Sequence, residues 1–153
     1  MKPIVITIAL ITAVLPKSDN IADCAIHVSQ AVENKHDTSV ADINPLIEAI
    51  IYIESRGNDS AIGDNGLAVG CLQIHPICIR EANRIIGFDS FCLNDRYNRQ
   101  QSINVFKTIK KRYSNKSNEA IARNWNGGPL GYKKKSTIKY WNKVQTRLQN
   151  KYE

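Results

Sequence analysis

The 153-residue sequence contains no run of 18 apolar residues, so nothing in it is long enough for a standard membrane-spanning helix. With only eight glycines and five prolines it is neither collagen-like nor dominated by linkers. Aromatic residues are few, at 7%, but apolar residues reach 42% and charges are spread along the chain, which excludes disorder throughout. There is also no helix-turn-helix, zinc or RNA-recognition signature, so Lys133-Lys134-Lys135 is not expected to serve a nucleic-acid-binding module. What is present is a length suited to one ordinary domain and a basic excess, a net charge of +7. That excess suits a polyanionic partner, and charge alone does not choose among nucleic acid, anionic membrane and bacterial wall.

Met1-Lys2 precedes an apolar run from Ile4 to Leu15, then Pro16-Lys17-Ser18. A positive start and about a dozen apolar residues are the first two parts of a secretory signal. The third part is poor: cleavage after Ala22 would leave Asn20 where a small residue is preferred, and Asp23 before Cys24 fits a lipoprotein site badly. Residues 1–22 are therefore read as a signal peptide or N-terminal anchor, residues 23–153 as the domain, and the protein as exported to periplasm or exterior. A buried N-terminal helix is the alternative. The even number of cysteines (Cys24, Cys71, Cys78 and Cys92) suits disulfides in that compartment. Four cysteines allow three pairings, and spacing does not choose among them. A zinc site from Cys71, His75 and Cys78 lacks both a CxxC pair and an obvious fourth ligand, so neither metal nor cofactor is expected.

The pattern along the chain is mostly helical. A short helix around Ala25–Glu33 is followed by a loop, and the first strong helix follows Asn44, with Pro45 at its start. Leu46, Ile47, Ile50, Ile51 and Ile53 form its apolar face, and Gly57-Asn58-Asp59 ends it. Residues 57–70 hold four glycines with Asn and Asp, the chemistry of turns or a short hairpin. Further helices are expected at Pro76–Ile86, closed by Gly87, at Arg99–Tyr113, and from Asn118 to Asn126-Gly127-Gly128. A last one at Thr137–Tyr152 should place Ile138, Trp141, Val144, Leu148 and Tyr152 along one side.

On the first helix, with Leu46 at zero, Ile50, Glu54 and Ile47 fall at about 40°, 80° and 100°. Glu54 thus lies within the apolar stripe, at the helix's C-terminal end. Lost hydration and the negative end of the helix dipole both disfavour its anion. A carboxylic acid kept protonated near neutral pH is what protonates a leaving glycosidic oxygen. The plain alternative is a glutamate at a frayed helix end, reaching solvent past Gly57.

Glu54-Ser55-Arg56-Gly57 is followed by Gly63-Asp64-Asn65-Gly66 and Gly70-Cys71-Leu72-Gln73-Ile74-His75-Pro76. Downstream come Asn124-Trp125-Asn126-Gly127-Gly128-Pro129 and the closing Tyr140-Trp141-Asn142-Lys143-Val144. These segments, in this order between Leu46 and Leu148, resemble the lysozyme-like superfamily, especially soluble lytic transglycosylases: a Glu-Ser pair ending a helix, Gly-x-x-Gln-Ile, Tyr-Asn-x-Gly and Tyr-x-x-x-Val. Trp125 stands where that family usually has Tyr. The resemblance implies an α-rich lysozyme-like single domain with a small hairpin insert, acting as a monomer on peptidoglycan glycan strands. It makes Glu54 the catalytic acid and then base, and puts Ser55, Gln73, Trp125 and Asn126 against substrate. Plainer roles stand beside these: backbone pairing for Gln73, core packing for Trp125, and a helix-end turn for Asn126.

Chicken-type lysozymes carry Asp-Tyr-Gly where this chain has Ala68-Val69-Gly70, so the second carboxylate of a retaining hydrolase is missing at that position. Lytic transglycosylases do without it, because the muramyl 6-hydroxyl attacks and leaves a 1,6-anhydro end. Asp64 can substitute from the insert or simply form its turn. A hydrolytic lysozyme or phage endolysin, and a catalytically silent glycan-binding relative, therefore remain alternatives. Ile21-Ala22-Asp23-Cys24 also resembles the mature start of small transglycosylases that accompany secretion and pilus machines. That resemblance favours a Cys24–Cys92 bridge, leaves Cys71–Cys78 as a second pair, and makes such a machine an expected partner.

Overall fold

A computed structural model describes residues 44–113 and 116–150. The expected helix at Ala25–Glu33, Cys24 and the whole of residues 1–43 lie outside the described residues, as does Tyr152. The described chain is mostly α, with one small antiparallel insert, as expected from its periodicity.

The first helix, α1, runs Asn44–Ser55. Leu46, Ile47, Ile50 and Ile51 are all buried, which is the stripe its spacing implies. Arg56 and Gly57, both with positive φ, turn the chain out of it. Arg99 braces this turn, its guanidinium donating to the Gly57 carbonyl and lying 3.2 Å from the Asp59 carboxylate. The insert pairs β1, Ile62–Gly63, with β2, Ala68–Val69, across a 3-10 turn at Asp64–Gly66. Val69 also bridges Ile74, which folds the segment back under itself. Buried Arg96 secures this fold-back by donating to the carbonyls of Leu93, Leu67 and Ile74 at 2.8, 3.1 and 3.2 Å.

Helix α2 covers Pro76–Ile86, with Pro76 in its first turn and Gly87 in the left-handed conformation at its end. Helix α3 covers Arg99–Lys110, and a 3-10 turn continues it through Tyr113. The Asn98 side chain caps α3 by accepting from Gln101 N–H. Helix α4 covers Asn118–Gly127, capped in the same way by Ser117. Helix α5 covers Ile138–Gln149. α5 packs on both α1 and α4, while α2 packs on α3. Phe106, Leu46, Ile50, Leu72, Ile74, Val105 and Val144 are almost wholly buried and form the centre of the core.

Two expectations are corrected. Ile138 is exposed, and the inward side of α5 carries Tyr140, Trp141, Val144 and Leu148 instead. The helix begins one residue later than expected because Thr137 is buried in a preceding 3-10 turn, where its hydroxyl donates to the carbonyls of Gly131 and Lys134. Cys71 and Cys78 are free thiols, not a disulfide. Cys71 sits in the core beside Asp59 and Ser102, whereas Cys78 lies in the first turn of α2, its backbone N–H bonded to the His75 carbonyl. Burial, with the Asp59 carboxylate adding to it, pushes the Cys71 thiol up to about 11.

Candidate active site

Glu54 is the last but one residue of α1, and the apolar stripe that buries the helix carries it inward. The Tyr140 hydroxyl, on α5, donates to its carboxylate at 2.6 Å. Burial holds the Glu54 carboxyl above the usual carboxylate range; the Tyr140 hydrogen bond opposes that, and Asp64 and His75 add smaller effects of opposite sign. Removing water from the carboxylate outweighs the one strong donor it receives. Burial first, and then the negative charge of Glu54, push the Tyr140 phenol well above its ordinary value, so it remains a donor. The pair therefore favours the protonated acid more than water would, and Tyr140 can steady the carboxylate once the proton has left.

The sign of that arrangement gives a first expected result. Tyr140→Phe removes the interaction that lowers the Glu54 pKa, so the alkaline limb of kcat/KM should move to higher pH while the maximal rate falls. A pH–rate profile checks this; a limb that stays in place would mean the hydroxyl does not act on the carboxylate.

Asp64 and His75 flank Glu54 from the insert and from the residue before α2. They pair with each other, Nε2 to Oδ2, at 2.9 Å. Asp64 takes a positive φ within the tight Gly63–Gly66 turn, and this backbone conformation aims it at His75. Ser55 points elsewhere, donating to the Cys71 carbonyl at 2.9 Å and, less closely, to that of Ile51. Its hydroxyl ties the acid-bearing end of α1 to the insert. The Gln73 amide donates to the carbonyls of Gly70 and Ala61 at 3.0 and 3.3 Å, leaving its oxygen as the available group. That oxygen lies against Gly63, where any Cβ would collide with it.

Trp125 and Asn126 lie at the end of α4. Half-buried Trp125 meets Phe106 with ring centres 4.7 Å apart and planes tilted by 55°. It lines an open cavity of about 330 Å³ between α2, α3 and α4, whose walls include Ile77, Cys78, Ile109 and Ile121. Asn126 is exposed and is not part of that wall. The start of α2 links the two regions: His75 acts on Glu54, and Ile77 and Cys78 face the cavity. The structure thus sets Glu54 and Ser55 at one end of α1, with Ser55 bonded to the segment that carries Gln73, and puts Trp125 on the cavity. The basic run is partly tied down, with Lys134 Nζ donating to the Gly127 carbonyl at 2.7 Å and Lys133 Nζ 5.6 Å from the centre of the Tyr132 ring.

Tyr140 is the residue that the sequence reading passed over. Its signal was the four-residue step to Val144, which puts both side chains on one face of α5. The partner of that face could not be read from the step itself.

No curated protein and no solved structure shows a significant match to this chain. The family model described as the transglycosylase SLT domain matches residues 32–148, from ahead of α1 almost to the end of α5. With a buried acid at the end of α1, a glycine-rich hairpin after it and a closing helix returning to the acid, the chain belongs to the transglycosylase SLT domain family, a lysozyme-like family of peptidoglycan-acting type.

Proposed function

We propose that this protein is a lytic transglycosylase that cleaves the β-1,4 bond between N-acetylmuramic acid and N-acetylglucosamine with Glu54 as its single catalytic carboxyl group. The observation that carries this reading is the buried, Tyr140-bonded Glu54, whose carboxyl burial holds above the usual carboxylate range. Glu54 donates that proton to the glycosidic oxygen as the bond from C1 to that oxygen breaks, releasing the glucosamine 4-hydroxyl. The resulting carboxylate, steadied by Tyr140, takes the proton of the muramyl 6-hydroxyl as its oxygen bonds to C1. The product is a 1,6-anhydro-muramyl end and Glu54 is protonated again. Gln73 offers its amide oxygen to the glycan and Trp125 offers a ring face, while Ser55 acts through the backbone it holds. Asn126, exposed beside the cavity, is available to a longer strand.

A second reading rests on Asp64. Its carboxylate, held by His75 and close enough to influence Glu54, can orient a water toward C1, giving hydrolysis. Mass analysis of digested peptidoglycan separates the two. Anhydro-muramyl ends are expected, and reducing muramyl ends would instead make the protein a lysozyme; glycan binding with no cleavage would make it a silent binder.

Export to the periplasm or exterior, and work alongside a secretion or pilus machine, belong to the same proposal and rest on the sequence alone. With Cys71 and Cys78 both free, Cys24 and Cys92 are the two cysteines left for a bridge.

A further inference from the structure

The connection between α4 and α5 buries small and polar residues and leaves aliphatic ones outside. Gly131 and Thr137 are buried, while Leu130 and Ile138 beside them are 57% and 44% exposed. The Thr137 hydroxyl donates to the Gly131 carbonyl at 2.8 Å, so the two aliphatic side chains leave the backbone at neighbouring points. Arg123 on α4 braces the connection, donating to Thr137 Oγ1 at 2.9 Å and to the Lys134 carbonyl at 3.1 Å. A Cβ on Gly131 would collide with the Arg123 carbonyl, so this backbone is pressed against α4. Leu130 and Ile138 are thus held in water by a braced surface, not by a loose loop.

Cations surround them. Between Ala120 and Asn150 every charged residue is a lysine or an arginine. Lys133, Lys135 and Lys139 are exposed, and Lys135 and Lys139 have no carboxylate partner among the described residues. Lys116 and Lys133 lie 5.8 and 5.6 Å from the centre of the Tyr132 ring, which gathers a further cation on this side. So basic a surface suits a polyanion, and the aliphatic pair decides which kind. A soluble polymer or a nucleic acid would meet the lysines and gain nothing from Leu130 and Ile138. An anionic bilayer offers phosphates to the cations and acyl chains to the aliphatic side chains at one interface.

We infer that the surface formed by Leu130–Lys139 docks on an anionic membrane, with Leu130 and Ile138 entering the headgroup boundary while Lys133, Lys135 and Lys139 pair with lipid phosphates. Tyr140 follows this surface directly in sequence and meets Glu54, so docking sets the acid close to the bilayer. The inference does not rest on the glycan-cleaving reading.

Co-sedimentation of the full chain with phosphatidylcholine vesicles, with and without about one-third phosphatidylglycerol, provides the test. Neutral vesicles record what the apolar run at Ile4–Leu15 contributes, and every variant shares that run. Partition onto anionic vesicles should exceed partition onto neutral ones at least about tenfold, and the excess should shrink with added salt. Replacing Lys133, Lys135 and Lys139 together by serine should remove most of that excess. Leu130→Ser combined with Ile138→Ser keeps every charge, yet should lower anionic-vesicle binding by about tenfold and leave binding to soluble polyphosphate unchanged. Leu130→Trp should show blue-shifted emission on anionic vesicles and none on polyphosphate. Equal partition onto the two vesicle types would overturn the inference, as would unshifted emission from the tryptophan variant. Undiminished vesicle binding by the folded serine pair would do so too, making the surface a general site for a soluble wall polymer or nucleic acid. Should the serine pair not fold, the vesicle comparison and the emission decide. None of these outcomes depends on whether peptidoglycan is cut, so the two readings fail separately.

Discussion

Glu54→Gln should lower the rate of peptidoglycan cleavage by about 10²–10⁴-fold while leaving glycan binding nearly intact. The amide matches the carboxyl in shape, and its oxygen can still accept from the Tyr140 hydroxyl, so α1 and α5 should remain packed. It cannot give up a proton and take one back, and both halves of the proposed reaction need that. Asp64→Asn, by contrast, should cost little if the muramyl 6-hydroxyl is the nucleophile. Turnover of purified glycan strands measured beside equilibrium binding separates the two quantities. Full activity in the Glu54→Gln protein would remove the catalytic assignment altogether.

Gly70→Ala should be the most damaging small substitution in the insert, destabilising the protein by about 2–5 kcal/mol. Gly70 has φ +79, and a Cβ there would overlap the backbone carbonyl of Arg96. The left-handed backbone costs an L-residue about 1–2 kcal/mol. Displacing tightly packed neighbours costs about 1–3 kcal/mol more. The carbonyl cannot move freely, because the Arg96 side chain is bonded to three others and the Ser102 hydroxyl donates to that same oxygen at 3.0 Å. Gly66→Ala is the natural comparison: φ is +92 there but nothing lies within 4 Å of the added carbon, so only the conformational cost applies. Denaturant melts should show the larger midpoint shift for Gly70→Ala, and equal shifts would mean that the Arg96 contact yields.

Elements with local chemical causes were legible in advance. Pro76 and Gly87 bound α2 because one fits a helix start and the other a left-handed exit. The glycines and Asn65 at residues 63–66 produce the hairpin turn for the same kind of reason. Glu54 was legible because its angle on α1 is a property of α1 alone. Distant pairings were not. Tyr140 meets Glu54 across 86 positions of sequence, and helical spacing says which way a residue faces but not what it meets. The free state of Cys71 and Cys78 was equally hidden, since their nearness in sequence carries no information about where each thiol points. Ser55 illustrates a third limit: a hydroxyl beside a catalytic acid is as able to serve a backbone carbonyl as a substrate.

The bond between Glu54 and Tyr140 also makes the proposed acid depend on two helices far apart in the sequence. The acid is on the first described helix and the tyrosine that meets it is on the last described one, so the pair completes only after the elements between them have been made. Until α5 docks on α1, Glu54 lacks the Tyr140 hydroxyl that would steady its carboxylate. On the proposed mechanism, a chain clipped ahead of α5 should cut glycan poorly although the residues of its acid and hairpin precede the cut. On the proposed mechanism cutting waits for α5, and a partner or protease that keeps this helix from docking would withhold it.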